Sequence, residues 1–125
     1  KKTKFLAVTK KNNIDYFVGN NGNLIRAKII NQDLPYIFGN IDVNNFLQFK
    51  KIIDESNFEF NEIKSLYYFK SKRWDVVTKN GFTFKMPLNL TVDKLNLLNE
   101  IINKSEFNNS KIIDFRQNNV LVING

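Results

Sequence analysis

The chain contains neither histidine nor cysteine. The side chains that most often act as general base, thiol nucleophile or soft metal ligand are therefore missing. A nucleophile–base triad in its usual forms cannot be built, and structural zinc, thiol catalysis and disulfides are excluded. Serine with lysine, and carboxylates, remain. Ser65, Ser71, Ser105 and Ser110 all lie near lysines, but in a chain this rich in lysine such proximity carries almost no information. Asp54 and Glu55 are adjacent on a helical segment, so they point to different sides and make no carboxylate pair. Glu59 and Glu62 stand near the start of a strand and read as solvated. No glycine-rich loop precedes a helix to cradle a phosphate. This inventory predicts a protein that performs no catalysis and needs no cofactor or metal.

Two segments carry the chemistry of binding instead. Tyr67, Tyr68, Phe69, Lys70, Lys72, Arg73 and Trp74 interleave rings and cations. A stacking platform for single-stranded nucleic acid is built from those residue types. The competing reading is a strand whose rings alternate into the core while its lysines face water, and the lack of any RNP-type or helix-turn-helix pattern favours it. The second segment is Val120-Leu121-Val122-Ile123, apolar on both faces. Such a strand is either central in a covered sheet or an edge open to a partner strand. As an edge it is suited to β-augmentation, in which main-chain hydrogen bonds supply affinity and alternate side chains supply specificity.

These residues need a scaffold, and the composition supplies one. The 125 residues are the length of one domain, with 42% hydrophobic and 25% charged residues, an ordinary globular balance. The formal net charge is +7. Lysine provides nearly all of the positive charge, the arginines being Arg26, Arg73 and Arg116. The abundance of Lys, Asn, Ile and Phe reads as the codon bias of an AT-rich genome, which inflates that charge. Scattered solvated lysines are the plain reading, and attraction to an anionic partner or membrane face is the functional one. No apolar run is long enough to span a bilayer. With no signal peptide and no initiator Met at Lys1, the chain is expected to begin inside a longer protein.

Turn signals divide the chain into short elements. Phe5 to Val8, Ile14 to Val18 and Leu24 to Ile30 read as strands, with the Gly19-Asn20-Asn21-Gly22 turn between the last two. Leu34-Pro35-Tyr36-Ile37-Phe38-Gly39 reads as an apolar loop pinned onto the body of the domain. Asp42 caps a helix whose stripe is Val43, Phe46, Phe49 and Ile53, widened by Leu47 and Ile52, and Ser56-Asn57 ends it. Strands follow at Ile63 to Phe69 and Arg73 to Lys79. Asn80-Gly81 predicts a two-residue hairpin turn pairing Val77 with Phe84 and Thr78 with Thr83, which places Val77, Phe82, Phe84 and Met86 on one face. Thr91 or Asp93 starts a second helix with the stripe Val92, Leu95, Leu98 and Ile102, broken at Asn108-Asn109. The chain closes with Ile112 to Gln117, a turn at Asn118-Asn119, and Val120 to Ile123. That turn would pair Phe115 with Val122 and Arg116 with Leu121. The order predicts one α+β domain over residues 1–125, a mostly antiparallel sheet with two packed helices.

Four segments in this order and spacing resemble the C-terminal part of the bacterial cell-division family FtsQ, called DivIB in other lineages. They are Asn21 to Ile25, Leu34 to Gly39, Arg73 to Phe84, and Ile113-Asp114-Phe115-Arg116. The resemblance covers nearly the whole chain. It departs at Lys1-Lys2-Thr3-Lys4, at Val18-Gly19, at Ser71, and in a terminal strand without the tryptophan some relatives carry. It implies an extracytoplasmic β domain, with a single inner-membrane helix and a POTRA domain expected upstream. It further implies a non-enzymatic scaffold at the division septum that recruits FtsB and FtsL and links them to FtsW and FtsI, with no nucleic acid involved. In such proteins FtsB adds a strand to the terminal edge, here Val120, Leu121, Val122 and Ile123, preceded by Arg116 and Gln117. Basic residues before the tryptophan hold an acidic partner segment, here Lys72 and Arg73. A basic nucleic-acid-binding domain and an adaptor of another envelope assembly are the alternative readings.

Overall fold

The computed structural model describes residues 3–30, 32–104, 112–116 and 122–124. Their strands are β1 (Phe5–Lys11), β2 (Ile14–Gly19), β3 (Leu24–Arg26), β4 (Tyr36–Phe38), β5 (Ile63–Tyr68), β6 (Trp74–Thr78), β7 (Thr83–Lys85), β8 (Ile112–Asp114) and β9 (Val122–Asn124), and their helices are α1 (Val43–Glu55) and α2 (Val92–Lys104). Among the described residues these strands form one sheet in the order β3-β2-β1-β4-β5-β6-β7-β8-β9. Hairpin neighbours pair antiparallel, whereas β1 with β4, β4 with β5, and β7 with β8 run parallel. Parallel neighbours need a crossover, and α1 and α2 are the crossovers from β4 to β5 and from β7 to β8. Both advance in the same direction between strands of the same polarity, so right-handed connection puts both helices on one face of the sheet. The α+β architecture expected from the order of elements is the one observed.

Each helix forms where the sequence places a cap ahead of an apolar stripe. The Asp42 carboxylate accepts from the backbone N–H groups of Asn44 and Asn45 at 3.0 and 3.4 Å, and Phe46, Phe49 and Ile53 are the buried residues of α1. Of the two candidate starts for α2, Thr91 is the cap. Its hydroxyl accepts from Lys94 N–H at 3.2 Å, and Leu95 and Leu98 are fully buried. Trp74 fills the space between α1 and the sheet, stacked on Phe49 at 4.9 Å and tilted against Tyr68 at 4.7 Å.

The structure corrects several sequence-based expectations. Tyr36–Phe38 is a strand in the middle of the sheet, pairing with both β1 and β5. Pro35 supplies its carbonyl to Val8 N–H at 3.0 Å, so a residue that cannot donate still joins the ladder as an acceptor. The strand expected over Leu24 to Ile30 is regular only to Arg26, with one further bond from Ala27 N–H to Asp15 C=O at 2.9 Å. The hairpin at Asn80-Gly81 pairs Val77 with Thr83 and Val76 with Phe84, one residue away from the expected register. Its loop has three residues. Gly81 N–H donates to Thr78 C=O at 3.1 Å, Thr78 N–H donates to Phe82 C=O at 2.8 Å, and Gly81 takes φ +95°. That is a tight turn followed by a left-handed residue. The shift moves Val77 off the core face and puts Thr78 on it, so that Trp74 and Val76 share a face with Phe82, Phe84 and Met86.

Gly39 is glycine for two reasons. Its φ is +105°, and a Cβ there would lie 2.3 Å from the Tyr68 carbonyl oxygen, a backbone atom of β5. Gly22 has φ +85° but open space, the nearest atom being Leu47 Cδ1 at 3.8 Å. We expect Gly39→Ala to destabilise the domain by about 2 kcal/mol or more, and Gly22→Ala by about 1 kcal/mol. Urea unfolding followed by Trp74 fluorescence measures both. Equal losses in the two variants would mean that β5 yields to the added methyl group.

Candidate partner-binding edge

The last two strands are placed by their register. β8 lies parallel to β7 with Phe84 opposite Ile113, and β9 lies antiparallel to β8 with Ile113 opposite Ile123. By register one row then crosses the sheet as Ile37, Leu66, Val76, Phe84, Ile113 and Ile123. Ile37, Leu66, Val76, Phe84 and Ile113 are each no more than 2% exposed. β9 ends the strand order, and β8 is its one neighbour among the described residues. The pairing of Asp114 with Val122 corrects the expected pairing of Phe115 with Val122. The observed register differs from the expected one by a single residue, and a slip of one exchanges the two faces of a strand. Gln117, Val120 and Leu121 lie outside the described residues, as do the turn at Asn118-Asn119 and the helix stop at Asn108-Asn109.

The neighbouring row on the opposite face is Phe38, Tyr67, Asp75, Lys85, Asp114 and Val122 by register. Phe38 and Tyr67 stack at 4.8 Å and are both more than a third exposed. Beyond them the row turns charged. The Arg73 guanidinium pairs with the Asp75 carboxylate, lies 4.7 Å over the Phe69 ring, and donates to Met86 C=O at 3.4 Å. Arg116 grips Asp114 through Nε at 2.8 Å and a terminal nitrogen at 2.5 Å, and its backbone N–H donates to the same carboxylate at 3.1 Å. Phe115 N–H bonds to Lys85 C=O at 2.9 Å, which carries the register past the end of β8. The rings of the Tyr67-to-Trp74 segment are split between faces. Tyr68 and Trp74 pack inward, while Tyr67 and Phe69 stay partly exposed.

Lys72 and Arg73 therefore play different parts. Arg73 is engaged by Asp75 and Phe69. Lys72 is exposed, takes φ +70°, and its N–H closes the β5–β6 turn on Phe69 C=O at 2.8 Å. It stands at the rim of a groove of about 100 Å³ floored by Phe49, Trp74 and Met86. A non-glycine residue at positive φ costs energy that most positions avoid, and Lys72 takes that conformation beside the groove. Among the described residues, no three acidic side chains converge to hold a metal ion. No helix among them is long and apolar enough to cross a membrane.

Sequence reasoning missed Asp75 and Asp114, the partners of the two arginines. Both pairs are spaced i, i+2, Arg73 with Asp75 and Asp114 with Arg116, and residues two apart on a strand share a face. That spacing was the available signal.

The sequence profile "Cell division protein FtsQ/DivIB, C-terminal" matches residues 7–116. The chain belongs to the FtsQ/DivIB family. Its fold is similar to a solved structure, the major extracytoplasmic domain of the trans isomer of the cell-division protein DivIB from Geobacillus stearothermophilus. The two share 16% sequence identity and a TM-score of 0.55, over 76% of this chain and 87% of that one. No curated protein matches the sequence. As an FtsQ/DivIB C-terminal domain the chain is part of a cell-division protein, in a family of scaffolds rather than of known enzymes.

The Arg116 clamp makes the base of the FtsQ/DivIB edge sensitive to strong acid. Its hydrogen bonds hold the Asp114 carboxyl at about 2, below the ordinary 3.8, against the opposing effect of burial, with Lys85 adding to the downward shift. A carboxylate depressed in the folded state stabilises the fold above its unfolded value, and that contribution is lost as pH falls through the folded value. Asp114→Asn should therefore be less stable than the parent near pH 5, with the difference shrinking between about 4 and 2. Urea unfolding at stepped pH checks it, and a pH-independent difference would show that the clamp is not charge-dependent.

Proposed function

We propose that this domain is an extracytoplasmic divisome scaffold that recruits FtsB, and with it FtsL, by accepting a partner strand against β9. Through them it links to FtsW and FtsI in septal wall synthesis. On this reading residues 1–125 are one domain, carried on the periplasmic side of the inner membrane at the septum by an upstream membrane helix and a POTRA domain. The observation that carries the reading is the position of β9 at the end of the strand order, with the apolar row leading into it. A strand added there continues the ladder with main-chain hydrogen bonds. Its residue opposite Ile123 extends the apolar row, and its residue opposite Val122 extends the charged one. Family membership and the likeness to a DivIB extracytoplasmic domain support the same reading.

The named contacts divide the work. Val120, Leu121, Val122 and Ile123 supply the receiving strand, with Arg116 and Gln117 at its approach. Lys72 and Arg73 meet the acidic part of the partner. Lys72 is the better probe of charge, because replacing Arg73 also strips Asp75 of its partner.

The test is calorimetric titration with a synthetic FtsB segment. Leu121→Glu should weaken binding at least roughly tenfold, about 1.4 kcal/mol, in a variant whose unfolding midpoint is kept. Lys72→Gly relieves the positive φ while removing the charge, so it should keep the fold, weaken binding and flatten its salt dependence. Full affinity in a folded Leu121→Glu variant would remove the edge reading.

A further inference from the structure

The corner of the sheet farthest from β9 carries a different surface. The β1–β2 hairpin turns through Asn12 and Asn13, both at positive φ. Its arms bring Lys10 opposite Asp15 and Lys11 opposite Ile14. β3 runs antiparallel on the other side, with Arg26 opposite Tyr16, and the bond from Ala27 N–H to Asp15 C=O carries that register one step further. Lys28 follows beside the hairpin tip. Lys10, Lys11, Arg26 and Lys28 thus come to one end of the sheet, Lys10 on the face of Asp15 and Lys11 and Arg26 on the other. The Asp15 carboxylate lies 3.9 Å from Lys10 and accepts from the Tyr36 hydroxyl at 3.4 Å. Among the described residues Lys11, Arg26 and Lys28 have no ion-pair partner, and all three are exposed.

Apolar groups stand beside these cations without cover. Ile25 is 38% exposed, Ile29 75% and Ile30 45%. Their carbon is aliphatic and branched, which offers no stacking face for a nucleobase. Unpaired cations alternating with exposed aliphatic side chains match an anionic membrane surface, where phosphates meet the cations and the aliphatic groups enter the boundary with the acyl chains.

We propose that this corner is a contact for an anionic lipid bilayer. Lys10, Lys11, Arg26 and Lys28 engage headgroup phosphates, and Ile29 and Ile30 enter the interfacial layer. Charge complementarity selects this occupant over a neutral apolar partner, since Lys11, Arg26 and Lys28 would be left desolvated and unpaired against such a surface. The contact is a weak peripheral one, which gains strength when a tether holds the domain close to the bilayer. It sits on the opposite edge from β9, so it stands or fails independently of strand addition.

Flotation of the chain with vesicles tests it. Vesicles of phosphatidylcholine mixed with phosphatidylglycerol should carry the protein upward at low salt and release it at high salt, whereas pure phosphatidylcholine vesicles should not carry it. The pair Arg26→Gln with Lys28→Gln should reduce the bound fraction by roughly tenfold or more, and Ile29→Ser with Ile30→Ser should reduce it severalfold. These positions are exposed, and an unchanged Trp74 emission spectrum certifies the fold of each variant. Equal binding to both vesicle types overturns the proposal, as does binding that survives both double variants. Retention on polyglutamate without any vesicle binding also overturns it, in favour of an acidic protein partner.

Discussion

One constraint organises this domain: residues on five neighbouring strands, Ile37, Leu66, Val76, Phe84 and Ile113, must lie side by side on the face that the helices cover. Burying each of these side chains is worth about 1.5–3 kcal/mol. The row next to it on the other face holds Asp75, Lys85 and Asp114. A slip of one residue in β6, β7 or β8 would drive a charge under α1 or α2 and lift an apolar side chain into water. Register is therefore fixed from both faces at once. This explains why strands of three residues are enough at β4, β7 and β8, where hydrogen bonding alone would hold them weakly.

The same constraint shapes the two ends of the sheet differently. At the β3 end, the ladder loosens after Arg26 and the chain leaves the sheet with its cations and isoleucines uncovered. Short length and lysine are the usual means of protecting an edge from unwanted pairing. At the β9 end, the ladder closes on Val122–Asn124 with the apolar row pointing into it and the Arg116–Asp114 clamp bracing its base. The clamp spans i and i+2, so it braces the chain just past β8 without tying β8 to its neighbours. One edge is thus guarded by charge and the other is held in register.

Much of this was legible in the sequence, and the failures share a cause. The helices were readable because Asp42 and the 3.6-residue stripe from Val43 to Ile53 act within a few turns of chain. The identity of β4 was not, because Tyr36–Phe38 is flanked by Pro35 and Gly39, both turn signals, and becomes a strand through β1 and β5, which lie far away in the chain. The hairpin at Asn80-Gly81 was expected in the right place with the wrong register. The dipeptide serves both a two-residue turn and a three-residue one, and the choice between them falls to Trp74 and Val76, which must face α1. The same reasoning moved Val122 from Phe115 to Asp114. Of the proposed contact residues, the sequence marked both arginines and Lys72. The i, i+2 spacing that lets Asp75 hold Arg73 was present but unread, and nothing marked Lys72 as a residue at positive φ.

Strand addition is a main-chain mode of recognition, and this bears on how such a domain tolerates change. A partner that reads backbone N–H and C=O groups asks of the receiving strand only that it stay extended, in register and uncovered. Those are properties of the row that positions β9, and any large aliphatic or aromatic residue satisfies a row position. The charged positions are looser still, since an ion pair at i and i+2 can be supplied in either order, as Arg73–Asp75 and Asp114–Arg116 show. The fold is shared with DivIB at 16% identity, so most side chains can differ while the architecture is kept. In such a domain specificity cannot come from the ladder, because every strand offers the same ladder. It comes from the side chains beside it, and on the proposed reading Lys72, at positive φ in the β5–β6 turn, is one of them.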